Sequence, residues 1–285
     1  MTFNSNADVS GSGAKRRGPG GGMIAGGIGG LGAIAVLLLQ IFTGGDFSSL
    51  LTGGSGPAQE SDIGQCETGA DANASIECRL AAGSLSVNQF WAKHVDGYRQ
   101  PQLIIVDQST PTACGTASNA AGPFYCPPEE TVYIDPTFFA LLDRQFGAHT
   151  GPLAQLYVLA HEYGHHIQQI TGIFDQYPQN GTGPQSNGVR TELQADCFAG
   201  AWIAGAADQT DAQGVPFLQR PTEDELRDAL AAAATVGDDH IQAQSGRVSP
   251  ESWTHGSSAQ RERWLLAGLR GGVGACDTFG AGSDL

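Results

Sequence analysis

His161-Glu162-Tyr163-Gly164-His165 lies in a stretch whose apolar residues repeat at the helical period, and no other feature restricts the fold as much. Leu156, Leu159, Ala160, Tyr163, Ile167 and Ile170 fall at i, i+3, i+4, i+7, i+11 and i+14, a single stripe that a core can bury. At about 100° per residue, both histidines project away from that stripe, one turn apart on the same face. A domain built on this helix must pack one side of it and leave a cleft over the other. Two imidazoles at that spacing suit Zn²⁺, and Glu162 falls beside them, placed to take a proton from a metal-bound water.

A catalytic zinc site uses three protein ligands and keeps one position open. The run Arg190-Thr191-Glu192-Leu193-Gln194-Ala195-Asp196 continues through Cys197 to Trp202 and predicts a second helix. Glu192 and Asp196 share a face of it. Glu192 is the candidate third ligand, and Asp196 the candidate acceptor for the outer N–H of a ligand histidine. The bland alternative for both is a solvated acidic edge. Ala195, Ala199, Gly200, Ala201, Ala204 and Gly205 let another backbone approach this helix closely. A Gly-, Pro-, Asn- and Gln-rich loop from Phe174 to Gly188 joins the two helices.

Together, His161-Glu162-Tyr163-Gly164-His165-His166 and Glu192-Leu193-Gln194-Ala195-Asp196 resemble the bacterial putative neutral zinc metallopeptidase family. More broadly they are similar to the gluzincin arrangement, in which a Glu-x-x-x-Asp helix follows the His-Glu-x-x-His helix. The likeness spans most of the chain after residue 60, including the cysteines and Thr254-His255-Gly256-Ser257-Ser258. It implies a zincin-like domain with one catalytic Zn²⁺ held by His161, His165 and Glu192, and Glu162 as general base for peptide hydrolysis. His255 has two roles open to it, a donor to the oxyanion or a cap of the helix that follows. His166 leaves the helix about 100° from His165 and flanks the site. The resemblance gives no substrate beyond a peptide or protein. A second reading is an extracellular zinc-binding scaffold with lost peptidase activity, against which the intact Glu162 argues.

The rest of the chain frames this domain. At 285 residues and 40% hydrophobic content, there is room for one sizeable core. Residues 1–21 are Gly-, Ser- and Asn-rich, carry Lys15, Arg16 and Arg17, and show no apolar period, which predicts a disordered, cytoplasmic N-terminus. Met23 to Phe42 is an uncharged apolar run long enough to span a bilayer, so residues 22–43 read as a transmembrane helix, with a cleaved signal peptide as the rival. A Gly/Ser-rich linker over 44–61 would then hold a catalytic domain, 62–285, outside the cytoplasm on a single-pass membrane protein. All six cysteines lie in that outer part, where disulfides survive. Cys66/Cys78 and Cys114/Cys126 each enclose eleven residues. Six cysteines allow fifteen connectivities, and the family likeness favours these two local pairs with Cys197 joined to Cys276. A net charge of −15, with no basic patch beyond the N-terminal cluster, argues against nucleic acid as a partner.

Further elements predict an α+β domain, helix-dominated with a small sheet. Helices are expected over Leu80–Tyr98, Thr222–Thr235 behind a Thr222-x-x-Glu225 capping box, and Ser257–Leu269. Strands are expected at Leu103–Val106 and Thr131–Asp135. By the resemblance, the Tyr133 strand would pair with extended substrate; otherwise it is an ordinary core strand.

Overall fold

A computed structural model describes residues 1–18, 59–64, 66–148 and 150–285 and shows a helix-rich α+β fold around a small mixed sheet. The strands are β1 (Lys15–Gly18), β2 (Gln59–Asp62), β3 (Gln102–Val106), β4 (Ser109–Thr112), β5 (Gly115–Ser118), β6 (Phe124–Cys126) and β7 (Thr131–Ile134). The sheet order is β2-β1-β3-β7-β6, with β1, β3 and β7 parallel and the two edge strands antiparallel to their neighbours. β4 and β5 form a separate hairpin. The central strands read Gln-Leu-Ile-Ile-Val and Thr-Val-Tyr-Ile, the near-continuous apolar runs of strands covered on both faces.

The helices are α1 (Gly69–Ala74), α2 (Ile76–His94), α3 (Thr137–Phe146), α4 (Pro152–Ile170), α5 (Ile173–Gln176), α6 (Asn187–Gly205), α7 (Glu223–Thr235), α8 (Asp238–Ala243) and α9 (Ser258–Gly271). Their starts follow local chemistry. Pro152 opens α4, Ser186 Oγ accepts from the Val189 amide at the head of α6, and reciprocal capping boxes start α7 (Thr222/Glu225) and α9 (Ser257/Gln260). α4, which carries the His-Glu-x-x-His run, packs against α2, α6 and α7, while α6 also packs along α9. Glycine at two crossings lets these backbones approach. A Cβ on Gly164 would lie 3.0 Å from Ala195 Cα, and one on Gly268 would lie 1.9 Å from the Cys197 carbonyl oxygen. Gly164 thereby brings α4 against the stretch of α6 that holds Glu192 and Asp196.

Residues 1–18, expected to be disordered, are packed into the fold. Met1, Phe3, Ala7 and Val9 are buried; Phe3 exchanges backbone hydrogen bonds with the Asn73 amide; the Gly69 N–H donates to the Ala7 carbonyl. β1 is an interior strand. The segment lacks a sequence period because most of its backbone is held by distant loops, not by a helix or ladder of its own. Gly18 pairs with Gln59, so a chain crossing a bilayer once between them could not keep both strands in one sheet. A cytoplasmic N-terminus with the domain outside is therefore incompatible with this packing. The end of the expected linker is β2 itself. The expected transmembrane helix lies outside the described residues, among which no helix is long and apolar enough to cross a membrane.

All six cysteines are paired, Cys66–Cys78, Cys114–Cys126 and Cys197–Cys276, the pairing that the resemblance favours. The last ties α6 to the segment after α9, and the second ties the β4–β5 hairpin to β6. Loss of each bridge is expected to cost about 2–5 kcal/mol. Urea unfolding with and without reductant measures this; equal midpoints, or free thiols at Cys66 and Cys78 in the unreduced protein, would contradict it.

Candidate metal centre

The packing of α4 on α6 brings His161, His165 and Glu192 together, one ligand atom from each lying within 4.8 Å of the others. His161 Nε2 is 3.2 Å from Glu192 Oε2, and His165 Nε2 is 3.5 Å from Glu192 Oε1. Zinc bonds of about 2.0–2.2 Å in a tetrahedron put ligand atoms roughly 3.3 Å apart, so the three side chains fit that ion. Both imidazoles are held from behind. His161 Nδ1 is 2.8 Å from Asp196 Oδ1, and His165 Nδ1 is 2.9 Å from Gln168 Oε1. These contacts turn both Nε2 atoms toward Glu192, as in zinc sites whose outer contacts set the histidine tautomer. Glu162 is 7% exposed and lines the same cleft.

Beneath His161 lies a buried polar cluster. Asp196, with no solvent exposure, accepts from Tyr157 Oη at 2.6 Å and from Arg261 Nε and Nη2 at 2.8 and 2.9 Å. Burial opposes ionisation of Asp196, but the Arg261 and His161 charges outweigh it and hold its pKa at about 2. For His161, burial would lower the pKa, yet the charge and hydrogen bond of Asp196, with the bond to Glu192, push it up to about 10. Glu192 sits well below the usual carboxylate range because His165, His255 and His161 overcome its burial. The pocket thus stabilises positive charge between two carboxylates, which suits a dication. A metal must displace the proton on the imidazole, so its affinity falls as the pH falls.

His255 stands across the cleft. The Asp238 carboxylate accepts from the backbone N–H groups of Thr254, His255 and Gly256 at 2.7–2.9 Å and lies 3.5 Å from His255 Nδ1. Burial would lower the His255 pKa, but the charges of Glu192 and Asp238 raise it. Ser257, not His255, caps α9. The cleft, about 1310 Å³, has a largely apolar wall that includes Phe138, Leu141 and Phe146 of α3, Val158 and Ile241. Among the described residues, the only carboxylates that line it are Glu162 and Glu192.

Against this geometry, a family model described as putative neutral zinc metallopeptidase matches residues 4–279. The chain belongs to that family. Among its relatives, the uncharacterized protein YpfJ of Escherichia coli K12 is 41% identical over 261 residues, covering 89% of this chain and 88% of its own. The uncharacterized protein Rv2575 of Mycobacterium tuberculosis H37Rv is 48% identical over 223 residues, 77% of this chain and 76% of its own. No solved structure matches this chain.

The expected site residues His161, Glu162, His165, Glu192, Asp196 and His255 all reach one centre, whereas His166 does not. Its ring is fully buried, with Nδ1 3.0 Å from Tyr125 Oη and Nε2 2.7 Å from the Arg99 carbonyl. The assignment of substrate pairing to the Tyr133 strand is corrected. β7 is flanked by β3 and β6 and its edges are spent; among the described residues β6 is the edge strand beside it, and its Phe124 and Tyr125 line the cleft. Sequence reasoning missed Tyr157, Gln168, Asp238 and Arg261. Tyr157 and Gln168 carried a usable signal, one turn before His161 and one turn after His165 on the same helix. Asp238 and Arg261 carried none, since each sits in an ordinary charged run.

Proposed function

We propose that this member of the family is a zinc-dependent endopeptidase. The observation that carries the reading is the convergence of His161 Nε2, His165 Nε2 and the Glu192 carboxylate beside Glu162 in one cleft. His161, His165 and Glu192 would hold a zinc ion, which would supply Lewis acidity to polarise water and the scissile carbonyl. The Glu162 carboxylate takes the proton of the attacking water and passes it to the leaving nitrogen. His255, oriented by Asp238, donates to the substrate oxygen as negative charge builds there. The β6 edge offers backbone groups to an extended peptide. The apolar lining favours large apolar side chains next to the scissile bond. The reading includes an oxidising, extracytoplasmic setting, supported by the three disulfides. Attachment to a bilayer through residues 23–42 rests on their apolar sequence and, with Gly18 paired to Gln59, would leave both flanks on the same side of the membrane.

Metal analysis of purified variants tests the ligand set. Glu192→Ala is expected to lose most of its zinc, whereas Asp196→Asn should bind it about 10–100-fold more weakly. Near-stoichiometric zinc in Glu192→Ala, with loss from His255→Ala instead, would overturn the assignment. Cleavage profiling of a peptide library tests the chemistry.

A further inference from the structure

The outer nitrogen of His165 meets a buried relay of two amides that ends on backbone carbonyls. Gln168 Oε1 is 2.9 Å from His165 Nδ1, while Gln168 Nε2 is 2.7 Å from the Thr191 carbonyl and 3.1 Å from Gln194 Oε1. Gln194 Nε2 is in turn 3.0 Å from the Cys276 carbonyl. Gln168 is fully buried and Gln194 is 6% exposed.

A backbone carbonyl only accepts, so Thr191 and Cys276 decide which end of each amide is the NH₂. Gln194 must give its NH₂ to Cys276, which turns its oxygen toward Gln168. Gln168 gives its own NH₂ to Thr191 and Gln194, and only its oxygen is left for His165. An acceptor at that position requires a proton on Nδ1 and leaves the lone pair on Nε2, the atom that faces Glu192. Reversing any link would set donor against donor or acceptor against acceptor in the interior, where an unmet polar group is costly.

We propose that Gln168 and Gln194 are positioning residues that lock His165 in the Nδ1–H tautomer, presetting its Nε2 for zinc. This rests on the zinc reading above. The device differs from the one behind His161, where a carboxylate supplies orientation and charge together. Neutral amides orient His165 without adding a countercharge.

Two measurements on the full chain decide it. The first is zinc affinity by competition with a chromophoric chelator, read beside the thermal midpoint of each chelator-treated protein. Gln168→Met is expected to bind zinc about 10–100-fold more weakly, and Gln194→Met more weakly by a smaller factor, in excess of any change in midpoint. The second needs no substitution: nitrogen-15 NMR of His165 in the chelator-treated wild type at alkaline pH should find the proton on Nδ1. Wild-type zinc affinity in Gln168→Met, or a proton on Nε2 in the wild type, would overturn the proposal. A wild type that binds no zinc would sink the zinc reading instead, and the NMR result would still decide the tautomer.

Discussion

Glu162→Gln is expected to keep the fold and the bound zinc while peptide hydrolysis falls by about 10²–10⁴-fold. The amide has nearly the shape of the carboxylate, so the packing of α4 is undisturbed. It cannot accept a proton, so an attacking water keeps both of its own. Glu162 lies between the two histidines in sequence but is not one of the three groups that converge on a common point, so metal content should not change. The measurement is turnover of a cleaved library peptide by wild type and variant, each stripped with chelator and restored with zinc. Turnover within a factor of a few of wild type would remove Glu162 from the reaction. Loss of zinc along with activity would make it a ligand instead.

Arg261→Leu should have the largest effect on stability, about 3–5 kcal/mol, because it strips a buried carboxylate of the stronger of its two cations and leaves only His161. Asp196 has no exposure, and two of its hydrogen bonds come from the Arg261 guanidinium. The pH dependence has a definite sign. In the wild type the Asp196 pKa is about 2, below its ordinary 3.8, so its stabilising contribution is present above that ordinary value and is lost as pH falls toward 2. Without Arg261 the carboxyl is held less strongly in its charged form and takes up a proton at higher pH. The stability gap between wild type and variant should therefore narrow in acid. Urea midpoints of the zinc-free proteins at pH 7 and near pH 3 measure it. The double variant Asp196→Asn/Arg261→Leu should cost less than Arg261→Leu alone, since no charge is then left unpaired. A gap that stays constant with pH would mean that lost packing, not the stranded carboxylate, explains the cost.

The parts of this structure that could be read in advance are those whose cause is local. The apolar stripe of α4, the small residues of α6 and the capping boxes of α7 and α9 each state their conformation within a few turns of chain. His161, His165, Glu192 and Asp196 could be grouped because helical spacing alone puts each pair on one face. Residues 1–18 could not, because Phe3 and Val9 fill gaps made by segments far along the chain. β6 is three residues long and gains its place only by pairing with β7. Arg261 and Asp238 look like any surface charge until α9 folds back over α6. Each of these depends on a contact between segments, which no window of sequence contains.

The pairing of Gly18 with Gln59 has a practical consequence. The chain leaves the sheet and returns to it at adjacent points on neighbouring antiparallel strands. Residues 19–58 join those two points. A two-residue Asn-Gly connection of the kind that closes β-hairpins could replace them without asking β1 or β2 to move. Such a link would test whether the cleft depends on the apolar run. A version of the protein shortened in this way would keep the N-terminal segment that simple truncation at residue 59 would tear out of the core.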